Sequence, residues 1–432
     1  MEQQGAFSVS KNRNGSKWYW LRYVAVLPMA WIIGLLLLWG VYSLPEDLPF
    51  RHAQESAHIF WTEKTNQTWI EGGLPNVQQD NITDARIIAI AANTLDVGYS
   101  ALERALNQYM PKIPGQDYSS CTHLAVYLSD PEQPVDVYYY GRYWGGFALM
   151  ARLWLFVCNY PQIRTANLVL QILVAAAAVW IVHRELGWRG SVAVLIAYIA
   201  LSPYTISRSM QYYPCFYLSF GGMIAVCLLH RKNRKRYDWL FLVLGILTAY
   251  LDFLTYPAAV VGLPLMIWLA LNPSEEHPVL QMFRFGIIWS FGYVGMWAGK
   301  WLLCGIAGLS YSGNPVSEKL LAYTGGDSAS VWKVFVNPFL AISKKRTLIL
   351  GLPSLLATVF ALKAILRKQK AWNSRAWCFG LLMLVPLAWI YLTKGHSLPH
   401  SFLSNRNLSV FFASAFLLCS SLAKPAGRTS IQ

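Results

Sequence analysis

The chain has 432 residues, 55% of them hydrophobic and 15% aromatic, with only 13% charged and a mean hydropathy of +0.34. A soluble domain carries roughly twice that charged fraction, so the composition excludes a water-soluble globular protein and implies an integral membrane one. The net charge of +15 does not point to nucleic acid, because the basic residues cluster at the ends of apolar runs, where positive-inside topology puts them.

Lys11, Arg13, Lys17 and Arg22 precede a first apolar run at 24–44, close to the ~20 residues needed to cross a bilayer. The run is long and no A-x-A cleavage site follows, so it reads as an uncleaved span behind a cytoplasmic tail, 1–23. Residues 45–164 form the longest polar interval and read as a large outer loop of mixed helix and loop. Helices are predicted there after Thr83 and over 100–110. The apolar stretch 145–161 resists this scheme, because counting it as a span would put RKNRKR (231–236) outside. It is therefore read as an interfacial or re-entrant helix with Arg152 at headgroup level.

A transmembrane bundle is predicted over 165–423, with spans at 165–183, 190–206, 212–230, 239–254, 256–272, 285–305, 347–366, 376–393 and 407–422. With the first run this makes about ten, an all-α polytopic bundle with both termini cytoplasmic. The inside loops are then 183–189, 231–236, 272–284 and 366–375, with the tail 424–432. All but the acidic 272–284 are basic. The outer side also receives 306–346 and 394–406. The fifth and sixth spans meet at DFLTYP as a tight hairpin broken at Pro257. Seven scattered cysteines show no disulfide or metal spacing.

This topology gathers the chemistry on the outer face. Ionisable groups at membrane depth are costly and default to functional hypotheses, but each also has a structural reading. Asp80 and Asp84 open DNITDARIIAIAAN (80–93). Asp80 suits a helix N-cap and Asp84 a first-turn charge; alternatively Asp84 is a general base, or a ligand for a metal or acceptor. Arg142 and Trp144 lie in RYWGG, either an aromatic-belt anchor or a guanidinium site for a lipid phosphate. Arg208, Gln211 and Tyr212 fall between the third and fourth spans. Asp252 pairs with an arginine of the bundle or acts in the site. His396 and His400 stand at i and i+4, but Pro399 lies between them and no third ligand is evident. A divalent cation is left open. Arg406 beside Asn405 suits an anion.

One span followed by a large outer loop with acidic residues near the bilayer resembles the GT-C class of integral-membrane glycosyltransferases. More narrowly, DNITDARIIAIAAN, GRYWGGFALMARLWLF, MQYYPCFY, DFLTYPAAVVGLPL and HSLPHSFLSNRNLS are similar to motifs of a bacterial multispanning family associated with capsule or surface-polysaccharide loci. The resemblance implies roles for Asp80, Asp84, Arg142, Trp144, Gln211, Asp252, His396, His400 and Arg406. It implies transfer of a sugar from a polyprenyl-phosphate-linked donor to a glycan or lipid acceptor, on the outer face of the bacterial inner membrane. The chain departs from the GT-C pattern in having no obvious acidic pair just beyond the first span. Glu46-Asp47 is the nearest, which makes Asp47 a second candidate base. It also carries Gly145 where that bacterial family has a histidine after RYW. The alternatives are a surface-polysaccharide polymerase or ligase, which shares the outer-face chemistry, and a flippase or transporter. Transport would need ionisable groups along the membrane path, for which only Lys300 and Asp252 offer.

Overall fold

The computed structural model describes residues 15–63, 65–68, 75–92, 95, 98–234, 236–309, 322–324, 331–341 and 374–422, with 351–352, 355–356, 359–360 and 362–363. Most of the predicted eighth span, most of the loop 306–346 and the tail 424–432 lie outside these. Among the described residues the chain is mainly helical, and five helical stretches are long and apolar enough to cross a membrane. They are Leu21–Tyr42, Tyr160–Ala200, Met210–Arg231, Ser374–Leu392 and Ser401–Leu422.

The first helix, α1 (Gly15–Tyr42), starts well before residue 24, since hydropathy marks the lipid-depth part of a helix and not its end. The polar interval then folds as α2 (Asp47–Glu55), α3 (Ala57–Thr62), α4 (Asn81–Ala92), α5 (Ala101–Leu106), β1 (Tyr109–Lys112), α6 (Ser120–Ser129), β2 (Asp136–Tyr139) and α7 (Gly146–Leu155). At its centre is α4, apolar on nearly every face after Thr83 and accordingly buried on nearly every face. The helix expected over 100–110 stops at Leu106. A Ser100/Glu103 capping box starts it, but Pro111 cannot continue a helix, and the chain enters an antiparallel pair instead. In that pair Tyr109 faces Tyr139 and Lys112 faces Asp136.

Two expectations for 145–161 fare differently. The helix α7 has ten residues, about 15 Å, too short to cross a ~30 Å hydrocarbon core. Arg152, expected at headgroup level, is 0% exposed and so faces protein on every side. Its guanidinium donates to the carbonyls of Val41 (3.1 Å), Leu44 (3.1 Å), Pro45 (3.3 Å) and Ala91 (2.7 Å). Val41 and Ala91 are in the last turns of α1 and α4, where carbonyls lose their helical partners, and Leu44 and Pro45 are in the segment that leaves α1.

The long helical stretch α8 (Tyr160–Ala200) would run about 60 Å if straight. Instead it reverses at Gly187, whose φ of 68° and ψ of −164° suit a residue without a β-carbon. Gln171 Nε2 therefore reaches both the Tyr198 hydroxyl at 3.3 Å and the Pro203 carbonyl at 2.9 Å. The second and third predicted spans are the two arms of this hairpin.

A short helix α9 (Pro203–Arg208) and a 3-10 turn, Met210–Tyr212, lead into α10 (Tyr213–Arg231), α11 (Tyr237–Leu251), α12 (Pro257–Leu271) and α13 (Pro278–Ile306). After α14 (Val331–Ala341) come α15 (Ser374–Leu392), the short turns α16 (Lys394–Ser397) and α17 (Ser401–Ser404), and α18 (Leu408–Leu422). At one end of the bundle Arg231 pairs with Glu185 (3.4 Å), Arg284 with Asp238 (2.5 Å), and Arg375 donates to the Ala270 carbonyl (2.7 Å). The loops read as cytoplasmic from their charge thus gather together, and the polar insert covers the opposite end.

Candidate functional site

Where the insert meets the bundle, α4 begins beside the 3-10 turn that precedes α10. Asp80 caps α4, accepting from the Thr83 N–H at 3.1 Å and the Thr83 hydroxyl at 2.9 Å. Its second oxygen also accepts from Gln211 Nε2 at 2.7 Å, and its own N–H donates to the Ser209 hydroxyl at 3.2 Å. Asp84, one helical turn on, accepts from the N–H groups of Met210 (2.8 Å) and Gln211 (3.2 Å) and from the Tyr160 hydroxyl. Two carboxylates and Gln211 thereby lock α4 to the mouth of α10, with negative charge on the N–H groups of its entry turn.

Behind Asp84 lies a buried ionic layer. Arg164 donates to both oxygens of Glu63 at 2.8 Å, to Asn81 Oδ1 at 3.0 Å and to the Tyr160 hydroxyl at 2.8 Å. Arg208 adds a bond to Glu63 at 2.7 Å. Burial is the main influence on Asp84 and pushes its carboxyl up to about 7; the Tyr160 hydroxyl, Arg164 and the Met210 N–H pull it back down. Asp84 is 0% exposed and Asp80 5%.

In front of Asp80 the arrangement is more open. Arg142 stacks over the Tyr140 and Tyr143 rings, 4.6 and 5.2 Å from their centroids, and donates to the Tyr140 hydroxyl at 2.9 Å. Its Nε is buried with no hydrogen-bond partner among the described residues. Arg86, the one charge inside the apolar run of α4, reaches the Tyr140 hydroxyl at 3.4 Å and the Ser120 hydroxyl at 3.0 Å. The His396 and His400 rings lie 4.8 Å apart, and Tyr323 meets His396 edge-on at 5.5 Å. Burial, with His400 and Arg142 adding to it, pushes His396 down to about 3, so its ring is neutral. Residue 400 is exposed, but its ring packs on His396 and Phe402. Its pKa is lowered by desolvation, raised by Asp80, and lowered by Arg86 and Arg142. Those charges converge on one place from α4, from the segment between β2 and α7, and from the turns before α18.

The remaining predicted site residues serve the scaffold. Trp144 donates to the Met296 carbonyl at 2.6 Å and pins the insert onto α13. Gly145, next to it, has φ +88°, and a β-carbon there would lie 1.5 Å from Gln108 Nε2. A histidine at this position would be strained by the positive φ and would displace the Gln108 amide from the Trp144 carbonyl. Asp252 finds Thr255 instead of an arginine, accepting from its hydroxyl at 2.5 Å and its N–H at 2.9 Å, and so closes the α11–α12 turn. Arg406 is 0% exposed, lies 4.0 Å from the centroid of the Tyr212 ring, and donates to the carbonyls of Phe402 and, at 3.2 Å, Asn76, with its Nε left unpartnered among the described residues. Asp47 is exposed in the first turn of α2, and its neighbour Glu46 pairs with Arg104. Lys300 donates to the Leu106 carbonyl of the insert at 2.6 Å. Among the described residues, no three His, Cys, Asp or Glu side chains are grouped to hold a metal.

Sequence reasoning missed Glu63, Tyr160, Arg164, Arg86 and Tyr140. The only signals were an arginine in the otherwise apolar α4 and the i, i+4 spacing of Tyr160 and Arg164. An apolar cavity of about 360 Å³ adjoins the site, lined by Ile87, Phe147, Trp154, Leu170, Met210 and Tyr213 among others. It joins the outward-facing Leu153 and Leu170 to Met210, whose N–H holds Asp84. Compared with family models, with curated proteins and with solved structures, the chain matches none of them.

Proposed function

We propose that the protein is an integral-membrane glycosyltransferase of about ten spans. It moves a sugar from a polyprenyl-phosphate-linked donor to a glycan or lipid acceptor at the outer face of a bacterial inner membrane. The observation that carries this reading is Arg142: a guanidinium lying over two tyrosine rings, with a buried Nε lacking a partner among the described residues, and close enough to His396 and His400 to influence both. A planar fork with unspent donors suits a phosphate. The apolar cavity beside Met210 supports the reading, since a polyprenyl chain needs such a path from the bilayer to the polar centre.

In this reaction the acceptor oxygen forms a bond to the anomeric carbon as the bond from that carbon to the phosphate oxygen breaks, with inversion. Arg142 holds the departing lipid phosphate and stabilises the charge it gains. The acceptor proton passes to a carboxylate, and Asp80 is the better placed of the pair because it faces the His400 side. Asp84 is closed off and holds Gln211 and the entry turn in place. The neutral imidazole of His396 and the ring of His400 offer hydrogen bonds to sugar hydroxyls.

Membranes carrying each variant, supplied with a panel of labelled polyprenyl-phosphate sugars, test this. Asp80→Asn should lower transfer by about 10²–10⁴-fold, the range for loss of a general base. Transfer at the wild-type rate by Asp80→Asn would remove that residue from the proton step.

A further inference from the structure

The end of the bundle away from the insert holds a second polar cavity, of about 610 Å³, within the size range of ligand sites. Its polar wall is built from Arg189, Arg375, His230 and Ser420, and its apolar wall includes Leu271 and Phe379. Glu185 also borders it, but that charge is met by Arg231 at 3.4 Å. Arg375 spends one nitrogen on the Ala270 carbonyl at 2.7 Å, while its Nε is buried with no partner among the described residues. The cavity therefore presents two arginines with no carboxylate of their own. Trp188 and Trp377 flank it in sequence, 60% and 59% exposed, and the Arg189 guanidinium lies 5.5 Å from the centroid of the Trp188 ring. Exposed tryptophans of a membrane protein sit at headgroup level. The cavity is thus cationic on one wall, apolar on the other, and set at the depth of lipid phosphates.

We propose that this cavity binds the phosphate of an anionic phospholipid, with Arg189 and Arg375 on the phosphate, Ser420 on the headgroup and the apolar wall against the upper acyl chain. Basic pockets between helices at this membrane face are suited to such headgroups. The site is separate from the outer-face centre and stands whether or not the protein transfers sugar.

The test uses the purified full chain in neutral detergent, with thermal unfolding and native mass spectrometry as readouts. Phosphatidylglycerol should raise the unfolding midpoint by roughly 3 °C or more over phosphatidylcholine, as expected when a ligand near saturation binds only the folded state, and should remain bound at one per chain. Arg189→Gln and Ser420→Asp should each at least halve that shift. Both positions are partly exposed, so the variants should fold. The proposal is overturned if phosphatidylcholine gives the same shift or if both variants keep it. Inorganic phosphate or glycerol phosphate reproducing the shift without lipid would likewise overturn it, because the site would then read a free anion.

Discussion

Arg152 and Arg142 lie on either side of the start of α7, both in the motif GRYWGGFALMARLWLF, and the fold uses them in opposite ways. Arg152 is sealed under the insert with its donors spent on four carbonyls at the ends of α1 and α4. Arg142 lies over two tyrosine rings with a buried nitrogen that nothing in the described chain satisfies. A buried arginine in a membrane protein is a functional candidate by default, and this pair shows what that default lacks. The useful question is where the donors go. Arg152, with an acceptor on every guanidinium nitrogen, holds the scaffold, whereas Arg142, with an unspent Nε and a single side-chain hydrogen bond, can take an anion. Arg164, Arg208 and Arg406 also leave Nε unpartnered among the described residues, but donate from their other nitrogens to Glu63 or to backbone carbonyls.

The sharpest way to break this contrast is to remove each guanidinium in turn. Arg152→Met removes the side-chain donor from four carbonyls, of which Val41 keeps the Leu44 N–H at 3.4 Å, at about 1–3 kcal/mol for each buried group left unpaired. The expected outcome is loss of a folded, monodisperse protein in detergent, or a thermal midpoint lowered by more than ten degrees. If Arg152→Met is as stable as wild type, the carbonyls are satisfied some other way and the scaffold reading of this residue fails.

Next in size is Arg164→Met. It takes from Glu63 the more buried of its two arginines and leaves the partly exposed Arg208 at 2.7 Å, so the loss should fall below the roughly 3–5 kcal/mol of a buried charge left wholly unpaired. Glu63→Gln removes the charge that Arg164 no longer meets. The double variant should therefore recover part of the loss, as a thermal-unfolding cycle on the four proteins would read. Additive losses would mean that the two residues do not act as a pair.

Arg142→Lys probes the other side of the comparison. Stability should change by less than about 1 kcal/mol, because the residue is half-buried and makes one side-chain bond. Transfer should fall roughly 10- to 100-fold, the worth of one or two charge-assisted hydrogen bonds, because an ammonium cannot reproduce the planar fork. Equal transfer by the lysine variant would reduce Arg142 to a point charge.

How far the sequence carried these distinctions depends on range. Local signals read well: the cap at Asp80, the apolar α4 behind it, and the basic loops that the fold gathers at one end. Gly187 was inside a loop read from charge alone, and the reversal is there. What one sequence could not show was pairing at a distance. Arg164 finds Glu63 across 101 residues and Gln211 finds Asp80 across 131, so the ionic layer was invisible and Asp84 looked reactive, without the four groups that enclose it. Asp252 misled in the other direction. A distant arginine was sought, while its partner was Thr255, three residues on. The β1–β2 pair was missed because its strands have four residues each, with the whole of α6 between them.

A pH series decides between the forces acting on Asp84. Burial holds its carboxyl at about 7 against an ordinary 3.8, while the Tyr160 hydroxyl, Arg164 and two backbone N–H groups favour the ion. A carboxyl whose folded pKa is raised contributes stability that is fully present below the unfolded pKa and is lost as pH climbs through the folded one. The stability of wild type relative to Asp84→Asn should therefore be greatest near pH 4 and shrink progressively until about pH 7, with little change above. Thermal midpoints of the two proteins, measured in the same detergent from pH 4 to 8, give this difference free of other titrating groups. A difference that grows with pH would mean the hydrogen bonds and Arg164 outweigh burial and keep Asp84 ionised throughout. Asp84 would then belong wholly with Arg152, among charges that the fold has already satisfied.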